Sequence, residues 1–355
     1  MWNRYQGRDL MTERNTGKNP GKTRFSSAER PAFQPLNPAR RIDIEECLEG
    51  LPAQDYAAYS EDAHAVWREV LARSQRVVTR YADHIHPAYI DGLRALQLPS
   101  QVPRTDELNE RLRTTGWKTV AVDGYLPATT YAALMAENIF PVSSRIRRRE
   151  HIDFAPEPDM VHDILGHLPM LFCAEHRDYL RELAIHASRA IPNALDSAYH
   201  EAVRHMAELK STEASAPADL ARAEAALEQV YCELVANASE VTCLRRLYIW
   251  SIEFGIFGTR DDFVIHGAAL MSAPTELSRV LGGAAQLEPY SMLAIEHENN
   301  FSDLLERYFV ASDYTHLHEV LSSYAGTMQK SIIPATSDVR ELRPRTLDLA
   351  RRSNA

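Results

Sequence analysis

The segment EPDMVHDILGHLP carries the clearest chemical signal of the chain, because His162 and His167 stand five positions apart in an apolar run. Imidazole nitrogens are the commonest metal ligands in proteins. Five positions on a regular helix turn two side chains about 140° apart, against about 40° for the four-residue spacing of HExxH. The pair can share one ion only if the helix ends or distorts between them, and Gly166 and Pro169 favour an ending there. Spacing alone leaves open that both are surface or satisfied core histidines.

A third ligand is suggested by Glu253, which stands in the strongly apolar stretch LYIWSIEFGIF. A buried carboxylate is costly unless it is paired or binds a metal. Two histidines and one carboxylate with open positions favour non-haem Fe(II) and oxygen chemistry. Ion pairing of Glu253 with Arg245 or Arg246 is the alternative.

Two separated motifs, in the right order, resemble one known family. APEPDMVHDILGHLPMLF and LYIWSIEFGIFGTRDDFVIHGAALMSAPTEL are similar to the iron-binding segments TPEPDxxHExxGHxPxF and YWFTVEFG…GAGLLSS of the pterin-dependent aromatic amino acid hydroxylases. A weaker resemblance extends from about Trp67 to about Met328. It implies the catalytic-domain fold of that family, mainly α with a few short β-strands. It also implies a monooxygenase that uses Fe(II), tetrahydropterin and O2 to hydroxylate the ring of a free aromatic amino acid.

The resemblance implies a role for each residue of the metal centre. Iron would be held by His162, His167 and Glu253. Ser272 matches a serine that orients the first of these histidines from outside the ligand set.

The resemblance also places the pterin. Counted back from His162 without gaps, the aromatic ring on which the pterin stacks falls on Tyr131, where the family usually has phenylalanine. The turn that contains Leu126 and Ala128 would run along the pterin edge. Asp163 stands in place of a glutamate that contacts the pterin, so its side chain is shorter by one methylene.

For the substrate, the resemblance implies that Arg147 binds the carboxylate and that Asp159 holds Arg147. A guanidinium offers a planar, permanently charged fork to a carboxylate, whereas the neighbouring arginines are expected to form an exposed basic patch. Pro156, Ile249 and Phe254 would line the pocket for the aromatic ring. This largely apolar lining favours phenylalanine, because it offers no partner for a buried hydroxyl. Tryptophan and tyrosine come next.

Two other functions remain open from the sequence. A zinc-dependent hydrolase could use the pair His162 and His167 with a general base beside the metal. A non-catalytic helical interaction protein could retain a degenerate site. Metal content and O2 consumption distinguish the zinc hydrolase from the monooxygenase. A folded protein that binds neither metal nor pterin would be the interaction protein.

The elements that must position these residues are mostly helical. We predict a disordered or draped tail over 1–45, a single catalytic domain over 46–340 and a short tail over 341–355. An inserted helical hairpin is predicted at about 197–239, as a surface decoration or an interface. WKTVAVDG predicts a short strand, and TYAALMAENIF predicts a helix.

Composition narrows the class of protein further. The chain has 355 residues, of which 45% are hydrophobic, and a net charge of -10 with neutral histidines. That charge argues against a nucleic-acid partner, and no apolar run is long enough to span a membrane. The four cysteines show no CxxC spacing, which suits a reducing cytoplasm. We expect a small-molecule enzyme that is a monomer or a small homo-oligomer.

Overall fold

The computed structural model describes residues 42–123, 126–152, 159–211, 216–297 and 305–328. The tails predicted over 1–45 and 341–355 therefore lie almost wholly outside the described residues. No helix in the described ranges is long and apolar enough to cross a membrane.

Helices dominate the first part of the chain. They are α1 (Ile44–Glu49), α2 (Glu61–Arg80), α3 (Pro87–Leu96), α4 (Thr105–Leu112) and α5 (Ala128–Ala136). The longest, α2, begins where the Ser60 side chain accepts a hydrogen bond from the backbone N–H of Ala63 at 3.2 Å. Its apolar stripe, which includes Trp67 and Val70, is buried, as expected for a surface helix packed on a core.

Two short strands pair in parallel, one after α4 and the other after α5. β1 (Lys118–Val122) pairs with β2 (Ile139–Ser143), in the register Lys118 to Ile139. The predicted helix over TYAALMAENIF is therefore wrong at its end, because α5 stops at Ala136 and Asn138 turns the chain with a φ of 59°. Pro141 is tolerated inside β2 because, among the described residues, this strand has a neighbour on one side only.

The second part of the chain contains two π-helices between its α-helices. The first π-helix is His162–His167, followed by a 3-10 helix (Leu168–Phe172), and the second π-helix is Ile249–Glu253. The α-helices are α6 (Ala174–Arg189), α7 (Ala194–Ser211), α8 (Pro217–Ala236), α9 (Glu240–Tyr248), α10 (Ala268–Ser272), α11 (Pro274–Leu281) and α12 (Tyr314–Ala325).

A four-stranded mixed sheet lies in the last third of the chain. Its strands are β3 (Ile256–Gly258), β4 (Phe263–Ile265), β5 (Gln286–Pro289) and β6 (Arg307–Ala311). Their order is β4-β3-β6-β5, with β3 and β4 antiparallel and the other pairs parallel. β3 begins three residues after the second π-helix, so the sheet fixes the exit of that helix.

Helices α7 and α8 pack against each other as a hairpin at the predicted position. Its base is tied to α9 by Asp196, whose carboxylate accepts hydrogen bonds from the hydroxyls of Ser239 and Thr242, both at 2.9 Å. The hairpin thus stands on the helix that leads into the second π-helix.

Gly166 allows the first π-helix to pack closely on α10. A Cβ at Gly166 would lie 2.6 Å from the carbonyl oxygen of Ala268, which is shorter than any normal contact. The helical conformation continues through Gly166 into the 3-10 helix instead of ending at this glycine. The expectation that Gly166 ends the helix is therefore wrong, and its role is close backbone packing.

Candidate active site

The first π-helix brings the two histidines of the sequence motif onto one face. Hydrogen bonds from residue i to i+5 widen each turn, so residues five apart stand over one another. The Nε2 atoms of His162 and His167 lie 3.2 Å apart. The predicted distortion between the two positions is therefore present, as a wider helical turn that runs the whole length of the pair.

Glu253 ends the second π-helix and meets both imidazoles. Its Oε2 lies 3.2 Å from Nε2 of His162, and its Oε1 lies 3.2 Å from Nε2 of His167. Glu253 Oε2 is buried and accepts no well-aligned hydrogen bond in the described part of the chain. The two nitrogens and the carboxylate therefore face a common point, and this donor set suits a divalent transition metal with open positions.

Asp163 is a second carboxylate near the histidines. The potential ligand atoms of His162, Asp163 and His167 lie within 4.8 Å of one another. Oδ2 of Asp163, however, accepts a 2.7 Å hydrogen bond from the backbone N–H of Ser143 in β2. Glu253 is better placed than Asp163 to complete this donor set, because its two oxygens each approach an imidazole nitrogen.

The charges at this point favour a cation. Burial of Glu253 opposes its ionisation, but the imidazoles of His167 and His162 outweigh burial and hold its pKa well below the ordinary value. Burial likewise lowers the pKa of His162, but the Glu253 carboxylate outweighs it, and the pKa is raised overall. A metal ion bound at this point would compete with protons for these groups, because a ligating imidazole must be neutral.

A hydrogen bond from outside the ligand set orients His162. Its Nδ1 lies 2.9 Å from Oγ of Ser272, at the end of α10. The Ser272 hydroxyl donates to the carbonyl of Ala269 at 3.2 Å. We infer that Ser272 accepts from Nδ1–H, which leaves the Nε2 lone pair for a metal.

Aromatic rings hold His167 instead. Its imidazole packs against Phe140, with centroids 4.9 Å apart, and against Tyr248, at 6.2 Å and an interplanar angle of 26°. Its Nδ1 is buried and has no hydrogen-bond partner among the described residues. Sequence reasoning missed Tyr248, although it precedes Glu253 by five positions, the same spacing as the histidine pair.

Arg147 and Asp159 form a buried, bidentate ion pair beside His162. Nε and Nη2 of Arg147 donate to the two Asp159 oxygens at 3.0 and 2.8 Å, and both side chains are at most 4% exposed. Asp159 also accepts from the backbone N–H of His162 at 3.0 Å. Asp159 thus fixes one edge of the guanidinium, and Nη1 on the other edge donates to the carbonyl oxygen of Ile152 at 3.5 Å, a long contact that an anion could replace.

The residues assigned to the pterin are placed unequally. Tyr131 lies near the metal ligands, with its hydroxyl 3.5 Å from that of Tyr248. Leu126 is half-buried, and Ala128 is exposed at the first position of α5. The Asp163 carboxyl bonds to β2, and burial raises its pKa to about 6.

The residues assigned to the substrate ring are partly described. Ile249 begins the second π-helix and Phe254 follows its last residue, and both are buried. The ring of Phe254 contacts Trp250 and Tyr308, with centroids 5.9 and 5.8 Å away. Pro156 lies outside the described residues.

Comparison with known proteins identifies the family. A family described as biopterin-dependent aromatic amino acid hydroxylase matches residues 49–209 and 199–339. Phenylalanine-4-hydroxylase of Vibrio cholerae is 28% identical over 294 residues, which cover 80% of this chain and 84% of that protein.

Solved structures share the fold. Phenylalanine hydroxylase of Chromobacterium violaceum with iron(III) and 7,8-dihydrobiopterin matches with a TM-score of 0.59 and 22% identity, covering 81% of this chain and 92% of that one. The iron- and phenylalanine-bound structure from the same organism gives 0.57 and 21%, covering 78% and 85%. The family match spans most of the sequence, and the chain belongs to the biopterin-dependent aromatic amino acid hydroxylases.

Proposed function

We propose that this hydroxylase acts on the ring of free phenylalanine, with His162, His167 and Glu253 as the ligands of Fe(II). The observation that carries the proposal is the convergence of two Nε2 atoms and a carboxylate at mutual distances of 3.2 Å. Its relative from Vibrio cholerae is named phenylalanine-4-hydroxylase, and a protein of the same fold was crystallised with iron and phenylalanine.

The protein contributes orientation and a dry pocket to this reaction. Bound Fe(II) and tetrahydropterin supply the activation of O2 and the transfer of one oxygen atom to the ring. Glu253 and the two imidazoles would supply three ligands to the metal, a donor set that suits Fe(II) oxygen chemistry. The surrounding apolar residues exclude water from the reacting atoms.

Arg147 is the anchor proposed for the substrate carboxylate. Its Nε–Nη2 edge is held by Asp159, which fixes the plane of the guanidinium before any ligand binds. The remaining edge can take a carboxylate in the same bidentate manner. Because Asp159 also accepts from the backbone of His162, the anchor and the metal centre share one support.

The pterin is proposed to lie on Tyr131, beside the turn that contains Leu126 and Ala128. Asp163 bonds to the backbone of Ser143, so its role in this proposal is to hold β2 against the first π-helix. Any contact of Asp163 with the pterin would use its other oxygen.

An apolar ring pocket is the reason to prefer phenylalanine. Phe254, Ile249 and Pro156 are proposed to line it, and none of them offers a hydrogen-bond partner to a phenolic hydroxyl or an indole N–H. A substrate that carries such a group would lose a hydrogen bond with water on binding. Tryptophan and tyrosine are therefore expected to be poorer substrates.

Anaerobic reconstitution tests the proposal. The protein is loaded with Fe(II), mixed with tetrahydropterin and one aromatic amino acid, and exposed to O2, and the product is identified by mass and regiochemistry. We expect hydroxyphenylalanine, with O2 uptake that requires both iron and pterin. Hydrolytic activity with Zn(II) that ignores O2 and pterin would favour a zinc hydrolase instead.

The Arg147→Lys variant tests the carboxylate anchor. Lysine keeps the charge but loses the planar fork, so we expect KM for phenylalanine to rise about tenfold, the cost of one charge-assisted hydrogen bond. Arg145→Lys is the matched control, since its guanidinium pairs with the exposed Asp123 at 2.7 Å. An unchanged KM in Arg147→Lys removes Arg147 from the substrate site.

The remaining partners and the compartment belong to the same proposal. We propose a cytoplasmic enzyme that is a monomer or a small homo-oligomer and has no nucleic-acid partner. Cys47, Cys173, Cys232 and Cys243 are free thiols, which supports a reducing compartment. Light scattering of the purified protein determines the oligomeric state.

A further inference from the structure

We propose that Tyr131 is a positioning residue that fixes the orientation of the His167 imidazole through two aromatic rings that pack against it. The proposal rests on the proposed function only in taking His167 as a metal ligand. It concerns four rings, those of Tyr131, Phe140, His167 and Tyr248, which we call the aromatic bracket.

His167 needs such a support because, among the described residues, only its Nε2 side, which faces Glu253 and His162, has polar neighbours. A metal-bound histidine usually donates its other ring N–H to a carboxylate, carbonyl or water, which sets the ring plane. His162 follows this pattern through Ser272, with Nδ1 2.9 Å from Oγ. Nδ1 of His167 is buried and has no partner within the described ranges. Apart from the contact of Nε2 with Glu253, rotation of the imidazole about its Cβ–Cγ bond is therefore limited by packing.

Phe140 and Tyr248 provide that packing, and each of them contacts the imidazole of His167. Phe140 lies with its centroid 4.9 Å from the imidazole, at an interplanar angle of 40°. Tyr248 is at 6.2 Å and 26°, close to parallel. The two rings come from different elements, β2 and the end of α9, so their separation depends on whatever joins those elements.

Tyr131, on α5, contacts both rings of this pair. Its ring lies edge-on to Phe140, with centroids 6.1 Å apart and an interplanar angle of 78°. It lies edge-on to Tyr248 at 6.3 Å and 87°. The two hydroxyls are 3.5 Å apart, at the outer limit of a hydrogen bond. Tyr131 therefore links the two side rings, and most of that link is ring contact.

Two substitutions separate the ring from the hydroxyl. Tyr131→Leu removes the contacts with both side rings, and Tyr131→Phe removes only the long hydroxyl contact. Tyr324→Leu, in α12, is the matched control, because it truncates another buried tyrosine that does not belong to the aromatic bracket.

The readout is Co(II) binding to the metal-free protein, with no pterin, substrate or turnover. We expect Tyr131→Leu to weaken Co(II) binding about tenfold, the lower end of what loss of a supporting partner costs, and to change the visible d–d spectrum. Tyr131→Phe is expected to weaken binding about twofold. Tyr324→Leu should leave affinity and spectrum unchanged even if it lowers the stability of the fold.

Hyperfine-shifted proton resonances of the Co(II) form provide a second measurement, which does not depend on the Leu variant folding. In Tyr131→Phe, the imidazole signals of His167 should move and those of His162 should stay. Wild-type Co(II) affinity and an unchanged spectrum in a folded Tyr131→Leu, or unmoved His167 signals in Tyr131→Phe, overturn the proposal. A wild-type protein that binds no Co(II) overturns the proposed metal centre as well, which distinguishes the two failures.

Discussion

The imidazole rings of His162 and His167 are held in place by different kinds of contact. His162 is held by a hydrogen bond from Nδ1 to Ser272 on α10, a short helix that the first π-helix approaches closely at Gly166. His167 packs against the rings of Phe140 and Tyr248, with no hydrogen bond to Nδ1 from the described residues. One imidazole is thus oriented by a polar contact and the other by ring packing.

This difference shows that five-residue spacing on a π-helix aligns two rings without giving them the same surroundings. A hydrogen bond is directional and fixes a ring plane through one atom. Packing is distributed over many weak contacts, so no single contact is decisive. We therefore expect single polar substitutions to have large effects on the His162 side, and expect large effects on the His167 side only when a whole ring is removed.

The largest effect is expected from Glu253→Gln, which removes the ligand charge that both sides share. Iron binding should fall by more than about 100-fold, beyond the usual cost of changing a supporting residue, and turnover should be lost. Glu276→Gln is the control, because this buried glutamate accepts instead from the Tyr308 hydroxyl at 2.6 Å. Iron analysis of both purified variants checks the prediction, and a Glu253→Gln protein with full iron content contradicts it.

Ser272→Ala removes the polar support of His162 alone. We expect Fe(II) affinity to fall about 10-fold to 100-fold, as for other residues that orient a ligand, because the His162 ring loses the acceptor for its Nδ1–H. Ser272→Thr, which keeps the hydroxyl, should recover much of the affinity. Titration with Fe(II) under anaerobic conditions measures both variants. Equal affinities for wild type and Ser272→Ala would remove the contrast between the two histidines.

Two further histidines are buried outside the proposed metal site, and burial lowers the pKa of both. His266 stacks on Phe257 with centroids 4.2 Å apart, and burial holds its pKa well below the ordinary value. Burial, followed by the charges of His167, His86 and Arg177, lowers the pKa of His176 to about 3. Both are therefore neutral in the folded protein at neutral pH.

The pH dependence follows from the sign of these shifts. Below about pH 6.5 the unfolded chain binds protons on both rings that the folded protein does not, so stability is lost as pH falls. Each ring contributes at most about 1.4 kcal/mol per pH unit to this loss. Urea unfolding of the metal-free protein at pH 7, 6 and 5 measures it. His266→Phe should show a shallower dependence, and a wild-type stability that is flat over this range contradicts the assignment.

Much of this centre was accessible from the sequence. The two motifs led to His162, His167 and Glu253, and the family match confirmed the resemblance on which their roles rest. The predominance of helix followed from hydrophobic periodicity. The five-residue spacing required a distorted helix, because a regular one turns the rings apart.

The rest depended on tertiary contacts that leave little trace in the sequence. Gly166 was predicted to end a helix, whereas in the structure its lack of a Cβ lets the first π-helix pack against the backbone of Ala268. The start of strand β2 was predicted to be helical, because Ile139 and Phe140 follow the apolar helix α5 closely. In the structure Asn138 turns the chain between α5 and these two residues. Tyr248 lies beside His167 because of the fold around the second π-helix, which the sequence does not indicate.

Anomalous diffraction at the iron edge, from crystals of the Fe(II)-loaded protein, tests the metal centre most directly. We predict one peak within about 2.2 Å of Nε2 of His162, of Nε2 of His167 and of a Glu253 oxygen. A peak bound by Asp163 in place of Glu253, or by only one of the two imidazoles, would contradict the account.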